Sequence, residues 1–221
     1  ADLATFTTTY PGVTAAGTDV AVVGGVLTAG ANEETEFVVT SAAAGFGADF
    51  GSAYTVSGDI GGLGGGALSY SPTLMISSNL GIEFGLSSGG NEFFRILARD
   101  FPTNTATVGG IPVQVADIGF DIVSGDLYRV TADIVRNGDG SVQLDVSVAD
   151  ANSAAVYNAA TQNYSAADAA ALFGSYSQVG FRKRGNDSGQ LLADNLTVVP
   201  EPGSLALLAL GGLAMLRRRR A

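Results

Sequence analysis

Tyr128-Arg129-Val130-Thr131-Ala132-Asp133-Ile134 is followed, beyond Asn137-Gly138-Asp139-Gly140, by Val142-Gln143-Leu144-Asp145-Val146-Ser147-Val148. In both runs apolar and polar residues alternate. Tyr128, Val130, Ala132 and Ile134 take one face, and Arg129, Thr131 and Asp133 take the other. Val142, Leu144, Val146 and Val148 likewise oppose Gln143, Asp145 and Ser147. A period of two is the mark of a strand with one face in a core. Two such runs joined by a short Gly- and Asp-rich connection predict a β-hairpin.

Working outward, the same pattern predicts strands at 3–9, 19–28, 34–41, 53–60, 73–77, 81–87, 92–99, 111–123, 154–158, 176–183 and 190–199. Ile82, Phe84 and Leu86 form one expected inward face, and Phe94, Ile96 and Ala98 another. Glycine-rich joints such as Gly61–Gly66 separate the runs. Many short strands with regular turn signals imply an all-β, two-sheet antiparallel sandwich. One segment departs from this. Ser165-Ala166-Ala167-Asp168 has the spacing of a capping box, good helix formers follow, and Gly174 can close the end, so a short helix is expected at 165–173. The sandwich domain is expected to span 1–199, with a separate tail at 200–221.

The 221 residues include no His, Cys or Trp. That excludes a disulfide framework, thiolate or imidazole metal sites and a Ser-His-Asp triad. The formal net charge of −10 excludes nucleic acid as a partner, since phosphates need a basic footprint. The chain begins at Ala1 with strand-like alternation, as expected after removal of a secretory signal.

The tail obeys different physics. Val199-Pro200-Glu201-Pro202 stops the last strand, because paired prolines cannot continue a ladder. The 14 residues Gly203–Leu216 carry no charge, and Arg217-Arg218-Arg219-Arg220 follow. As a helix the apolar run would be about 21 Å long, against about 30 Å of hydrocarbon, so it spans only with snorkelling or local thinning. A terminal arginine cluster favours the cytoplasmic side and puts the acidic body outside. A buried C-terminal helix would leave four arginines without a reason.

In that order, Pro200, Glu201 and Pro202, a Gly/Ala/Leu helix and a terminal arginine cluster resemble a PEP-CTERM sorting signal. The resemblance covers about a tenth of the chain. It implies a bacterial, mostly Gram-negative source, export across the inner membrane, transient residence of the tail in that membrane, and processing by an exosortase. Such proteins often belong to organisms that make exopolysaccharide or biofilm matrix, and they end at the cell surface or beyond it. The body resembles concanavalin A-like or laminin-G-like jelly rolls, through Leu127–Ile134, the hairpin to Val148, and Val179-Gly180-Phe181 with Ala193-Asp194-Asn195-Leu196-Thr197-Val198.

Candidate chemistry in the body is sparse. Asp194, on an inferred face with Leu192, Leu196 and Val198, is a structural carboxylate or a Ca²⁺ ligand. Asn137, Asp139 and Ser141 alternate as in a calcium loop but lack its further carboxylates, so turn chemistry is favoured. Glu33, Glu34 and Glu36 read as a solvated edge rather than a glycosidase pair. Arg182-Lys183-Arg184 reads as an exposed strand end. The reading is therefore an exported, non-catalytic surface or matrix protein in contact with extracellular polysaccharide, with no cofactor. The rivals are a Ca²⁺-dependent lectin-like module and a jelly-roll glycoside hydrolase or lyase.

Overall fold

The computed structural model describes residues 14–16, 20–23, 26–29, 35–40, 53–63, 72–77, 79–86, 92–98, 114–116, 122–153, 155–173, 178–183 and 189–200. The strands are β1 (Thr14–Ala16), β2 (Val20–Val23), β3 (Val26–Ala29), β4 (Thr35–Thr40), β5 (Ala53–Leu63), β6 (Thr73–Met75) and β7 (Leu80–Leu86). They continue as β8 (Glu92–Ala98), β9 (Gln114–Ala116), β10 (Tyr128–Arg136), β11 (Val142–Asp150), β12 (Val156–Tyr164), β13 (Gln178–Lys183) and β14 (Gln190–Pro200). Among the described residues one helix, α1 (Ala166–Phe173), lies between β12 and β13. Two seven-stranded antiparallel sheets result, in the orders β1-β4-β13-β6-β7-β8-β9 and β12-β11-β10-β5-β14-β3-β2. The chain passes repeatedly from one sheet to the other, which is the winding of the expected jelly-roll sandwich. The strand expected at 3–9 and the helix expected in the tail lie outside the described residues. Among the described residues no helix is long and apolar enough to cross a membrane.

The hairpin forms as its alternation dictates. Tyr128, Val130, Ala132, Ile134, Val142, Leu144, Val146 and Val148 are all buried, and Val130 pairs with Val148, Ala132 with Val146 and Ile134 with Leu144. Their counterparts across the core are Leu74, Ile82, Phe94, Ile96, Val179 and Phe181. Tyr54 on β5 crosses between the sheets, its hydroxyl donating to the Ile76 carbonyl at 3.2 Å. A buried phenol needs such a partner.

Helix α1 plugs the end of the sandwich where the β10–β11 turn lies. The Ser165 hydroxyl accepts from the Asp168 backbone N–H at 3.2 Å and donates to the Asp168 carboxylate at 2.8 Å, so the cap works with Asp in the Glu position. Ala169, Leu172 and Phe173 are buried. The last helical carbonyls find side-chain donors: Ser77 Oγ on Leu172 O at 2.6 Å and Asn79 Nδ2 on Ala171 O at 2.9 Å.

Four strand expectations need correction. The strand expected at 19–28 is two, β2 and β3, paired antiparallel with Val23 opposite Val26. Residues 111–123 do not form one strand: β9 covers Gln114–Ala116, and Ile122-Val123 lead into a turn, where the Val123 N–H donates to the Tyr128 hydroxyl at 2.8 Å. The strand expected at 154–158 runs from Val156 to Tyr164. Its half-buried positions carry Asn158, Ala160 and Gln162, so apolar alternation does not mark its length. The strand expected at 73–77 stops at Met75, because the backbone N–H groups of Ile76 and Ser77 turn to the Leu80 carbonyl.

Two glycines on β5 are imposed by close approach. A methyl group at Gly58 would lie 2.5 Å from Phe181 Cε1, and one at Gly61 would lie 2.1 Å from the Asp126 carbonyl oxygen. Replacing a strand glycine by alanine usually gains about 0.5–1 kcal/mol, whereas overpacking costs about 1–3 kcal/mol. Gly58→Ala is therefore expected to be net destabilising in equilibrium denaturation. Gly61→Ala should lose more, since its obstacle is backbone rather than a ring that can tilt. Two variants as stable as the parent would contradict this packing.

Candidate functional site

The outward face of the sheet built on β10 and β11 carries the polar half of the hairpin alternation. Register places Thr55, Asp133, Asp145 and Thr161 side by side on β5, β10, β11 and β12. Two carboxylates directly opposite one another repel unless each is held. Here Thr55 Oγ1 donates to Asp133 at 2.6 Å, Gln143 Nε2 donates to Asp145 at 2.7 Å, and the Thr161 hydroxyl also donates to Asp145. Ser57, Thr131 and Ser147 form the next row. A shallow hollow of about 320 Å³ lies over this face, lined by Asp133, Asp145, Ser147, Ala159 and Thr161. The Asp133–Asp145 pair was legible in the hairpin, because counting outward from its turn sets the two opposite each other.

Nearer the other end of the same sheet, Asp59 is only 2% exposed. Arg129 holds it with two bonds of 2.7 Å, from Nε and from an Nη, and Asn195 Nδ2 donates a third at 2.7 Å. The Asp59 hydrogen bonds raise the Arg129 pKa, against partial desolvation. Asn195 reaches Asp59 because β14 bulges between Asp194 and Thr197, with Asn195 at φ 52°. Asn tolerates that left-handed conformation better than most residues.

The bulge also corrects the face assigned to Asp194. Ala193 and Leu196 are both buried, so the parity flips between them. Asp194 stands opposite Asp59 and shares its face with Thr197 rather than Leu196 and Val198. Its carboxylate accepts from the Asn195 N–H at 2.7 Å.

Asn137 and Asp139 sit in the β10–β11 turn. Asp139 accepts from both the backbone N–H and the hydroxyl of Ser141, at 2.9 and 2.6 Å, and Asn137 Nδ2 donates to Ser141 Oγ at 3.0 Å. Those bonds pull the Asp139 pKa down. Asn137 and Asp194 are not brought together. They lie toward opposite ends of the sheet, about 25 Å apart at ~3.3 Å per strand residue. Among the described residues no group of three or more acidic side chains is placed to hold a metal ion.

The expected exposed basic strand end is overturned for two of its residues: Arg182 and Lys183 are 0% and 1% exposed. Arg182 stands in register between Glu36 and Thr73, and Thr73 in turn faces Glu83, which forms an ion pair with Arg95. Read singly, the charges suggest solvent; β13 is covered instead because it is an inner strand, paired with β4 on one side and β6 on the other. Arg184, Glu33 and Glu34 lie outside the described residues.

Asp150, at the end of β11, closes the following turn. It accepts from the backbone N–H groups of Asn152 and Ser153 at 2.7 and 2.6 Å and from the Tyr157 hydroxyl at 3.2 Å. The two backbone donors, Ser153 foremost, lower its pKa below the usual carboxylate value. A lowered native pKa stabilises the fold above the unfolded value of about 4, and the gain fades as pH falls through the native value. Asp150→Asn should therefore melt below the parent at pH 7, with the gap closing toward pH 2. A gap of the same size at both pH values would contradict the charge-based role.

Residues 198–220 match the PEP-CTERM protein-sorting motif. The motif implies bacterial secretion with a membrane-anchoring C-terminal tail and processing by an exosortase. No curated protein matches the chain. Similar solved structures include alginate lyase Aly36B, at 12% identity, covering 84% of this chain and 86% of that one with a TM-score of 0.49. The CBM2 module of Lactobacillus casei BL23 phage J-1 evolved Dit has 12% identity, coverage of 85% and 89%, and a TM-score of 0.48. A β-1,3-glucanase from Mycobacterium marinum has 12% identity, coverage of 81% and 77%, and a TM-score of 0.46.

Proposed function

We propose that the protein is a non-catalytic component of the surface or extracellular matrix of a Gram-negative bacterium, carried there by its tail and contacting exopolysaccharide through its body. The sorting motif at residues 198–220 carries this reading. The body supplies support of a different kind. Asp59, Asp133 and Asp145 are each tied into their own sheet by hydroxyl, amide or guanidinium donors. Donors of this kind fix each carboxylate in its sheet, as a structural or ligand-contacting role requires. Hydroxyls and carboxylates spread over a sheet face suit contact with a polyol, and the body works without turnover or a cofactor.

The test compares the parent with an Asp133→Asn/Asp145→Asn double variant on neutral glucans and polyuronates, following new reducing ends and unsaturated products. Neither protein is expected to change any polymer, and cell fractionation should find the parent outside the cytoplasm. Turnover by the parent that the double variant loses would make the Asp133–Asp145 face an active site and overturn the non-catalytic reading.

A further inference from the structure

At the end of the sandwich opposite α1, the turn that precedes β10 and the turn that follows β11 enclose a hollow of about 170 Å³. At ~30 Å³ per water this equals about six waters, room for one sugar ring and little more. Its walls are Val123, Asp126, Tyr128, Asp150, Asn152 and Tyr157.

The hollow differs from the polar sheet face in having an aromatic wall. Tyr157 is 41% exposed and presents part of its ring to solvent. Its ring is braced edge-on by the buried Tyr128, with centroids 6.2 Å apart. Its hydroxyl is tied to Asp150, which also fixes the turn carrying Asn152. The opposing turn is fixed as well: the Gly125 N–H donates to the Gly62 carbonyl at 2.9 Å, and the Val123 N–H donates to Tyr128. The ring and its polar neighbours are thus held in place before any ligand arrives, which lowers the ordering cost of binding.

A flat ring with an open face, beside two carboxylates and an amide, matches the two-sided chemistry of a pyranose. The C–H face of the sugar covers the aromatic ring, and its hydroxyls donate to carboxylates and accept from an amide. The sign of charge narrows the class. Among the described residues, Asp126 and Asp150 line the hollow and no Lys or Arg does. After partial burial, these same two carboxylates push the Tyr157 phenol above its ordinary pKa. Such a field opposes a uronate or sulfated sugar.

We propose that this hollow binds a single neutral pyranose unit of an extracellular polysaccharide, stacked on Tyr157 and hydrogen-bonded by Asp126, Asp150 and Asn152. The inference rests on the reading of the body as a polysaccharide-contacting domain and gives that contact a place and a sugar class.

Binding is measured by calorimetry on the full chain in a zwitterionic detergent, since a glycoside detergent would compete. The probes are gluco-, manno- and galacto-oligosaccharides, with a polyuronate oligosaccharide as the charged comparator. At least one neutral probe should bind in the millimolar range or tighter, and the polyuronate should not. Tyr157→Ala should weaken binding at least tenfold and Asn152→Ala several-fold, while Ala167→Ser, exposed on α1 at the opposite end of the sandwich, should leave it unchanged. Thermal melts identify a misfolded Tyr157→Ala, in which case Asn152→Ala decides. Neutral binding that survives these substitutions, or a polyuronate that binds best, overturns this site and leaves polysaccharide contact standing. No binding to any probe by a normally melting parent overturns both. The surface location is read separately and survives either result.

Discussion

At Gly58 the Phe181 ring, reaching across from the opposite sheet, occupies the space a side chain would need, and at Gly61 the Asp126 carbonyl does the same. These two approaches lock β5 into its surroundings. The first sets how closely the sheets stack, with Leu74 filling the neighbouring space. The second draws the turn before β10 over the end of β5 and so places Val123 and Asp126. Between them Asp59 ties β5 to β10 through Arg129 and to β14 through Asn195. Core, sheet and end-loop geometry therefore meet on a few consecutive residues of one strand.

The acidity of the chain is arranged rather than diffuse. The tail from Pro200 holds one Glu and four Arg, leaving 20 acidic and seven basic residues in the body. Among the described sheet carboxylates, Asp59, Asp133 and Asp145 are balanced locally by hydroxyl and amide donors or by arginine. The opposite polarity of the tail serves orientation at a membrane. The division suits a secreted body carried on a membrane-anchoring tail.

The hairpin was legible because its two runs alternate without a break and share one turn, and burial follows that alternation residue by residue. The helix was legible from Ser165 and Asp168. Reading failed where pairing, rather than pattern, decides. Asn195 begins a bulge that reverses the faces of β14, and period-two counting cannot detect an inserted residue. Arg182 and Lys183 look like surface residues until the strands on either side of β13 are placed beside them. β12 hides for a different reason: its half-buried face carries Asn158, Ala160 and Gln162 before Tyr164, so its alternation is not written in apolar residues. The Tyr157 hollow joins two turns about 25 residues apart, and only the ladder between β10, β11 and β12 makes them neighbours.

The tail was legible from its order of composition alone, and on it rests the claim that this body works outside the cell. The most direct measurement is the intact mass and C-terminal peptide of the protein recovered from cells that carry an exosortase and from cells that lack it. Processing predicts a chain shortened within the tail, without Arg217–Arg220, in the first and a chain that retains those arginines in the second. Retention of the arginine cluster in both would contradict the account.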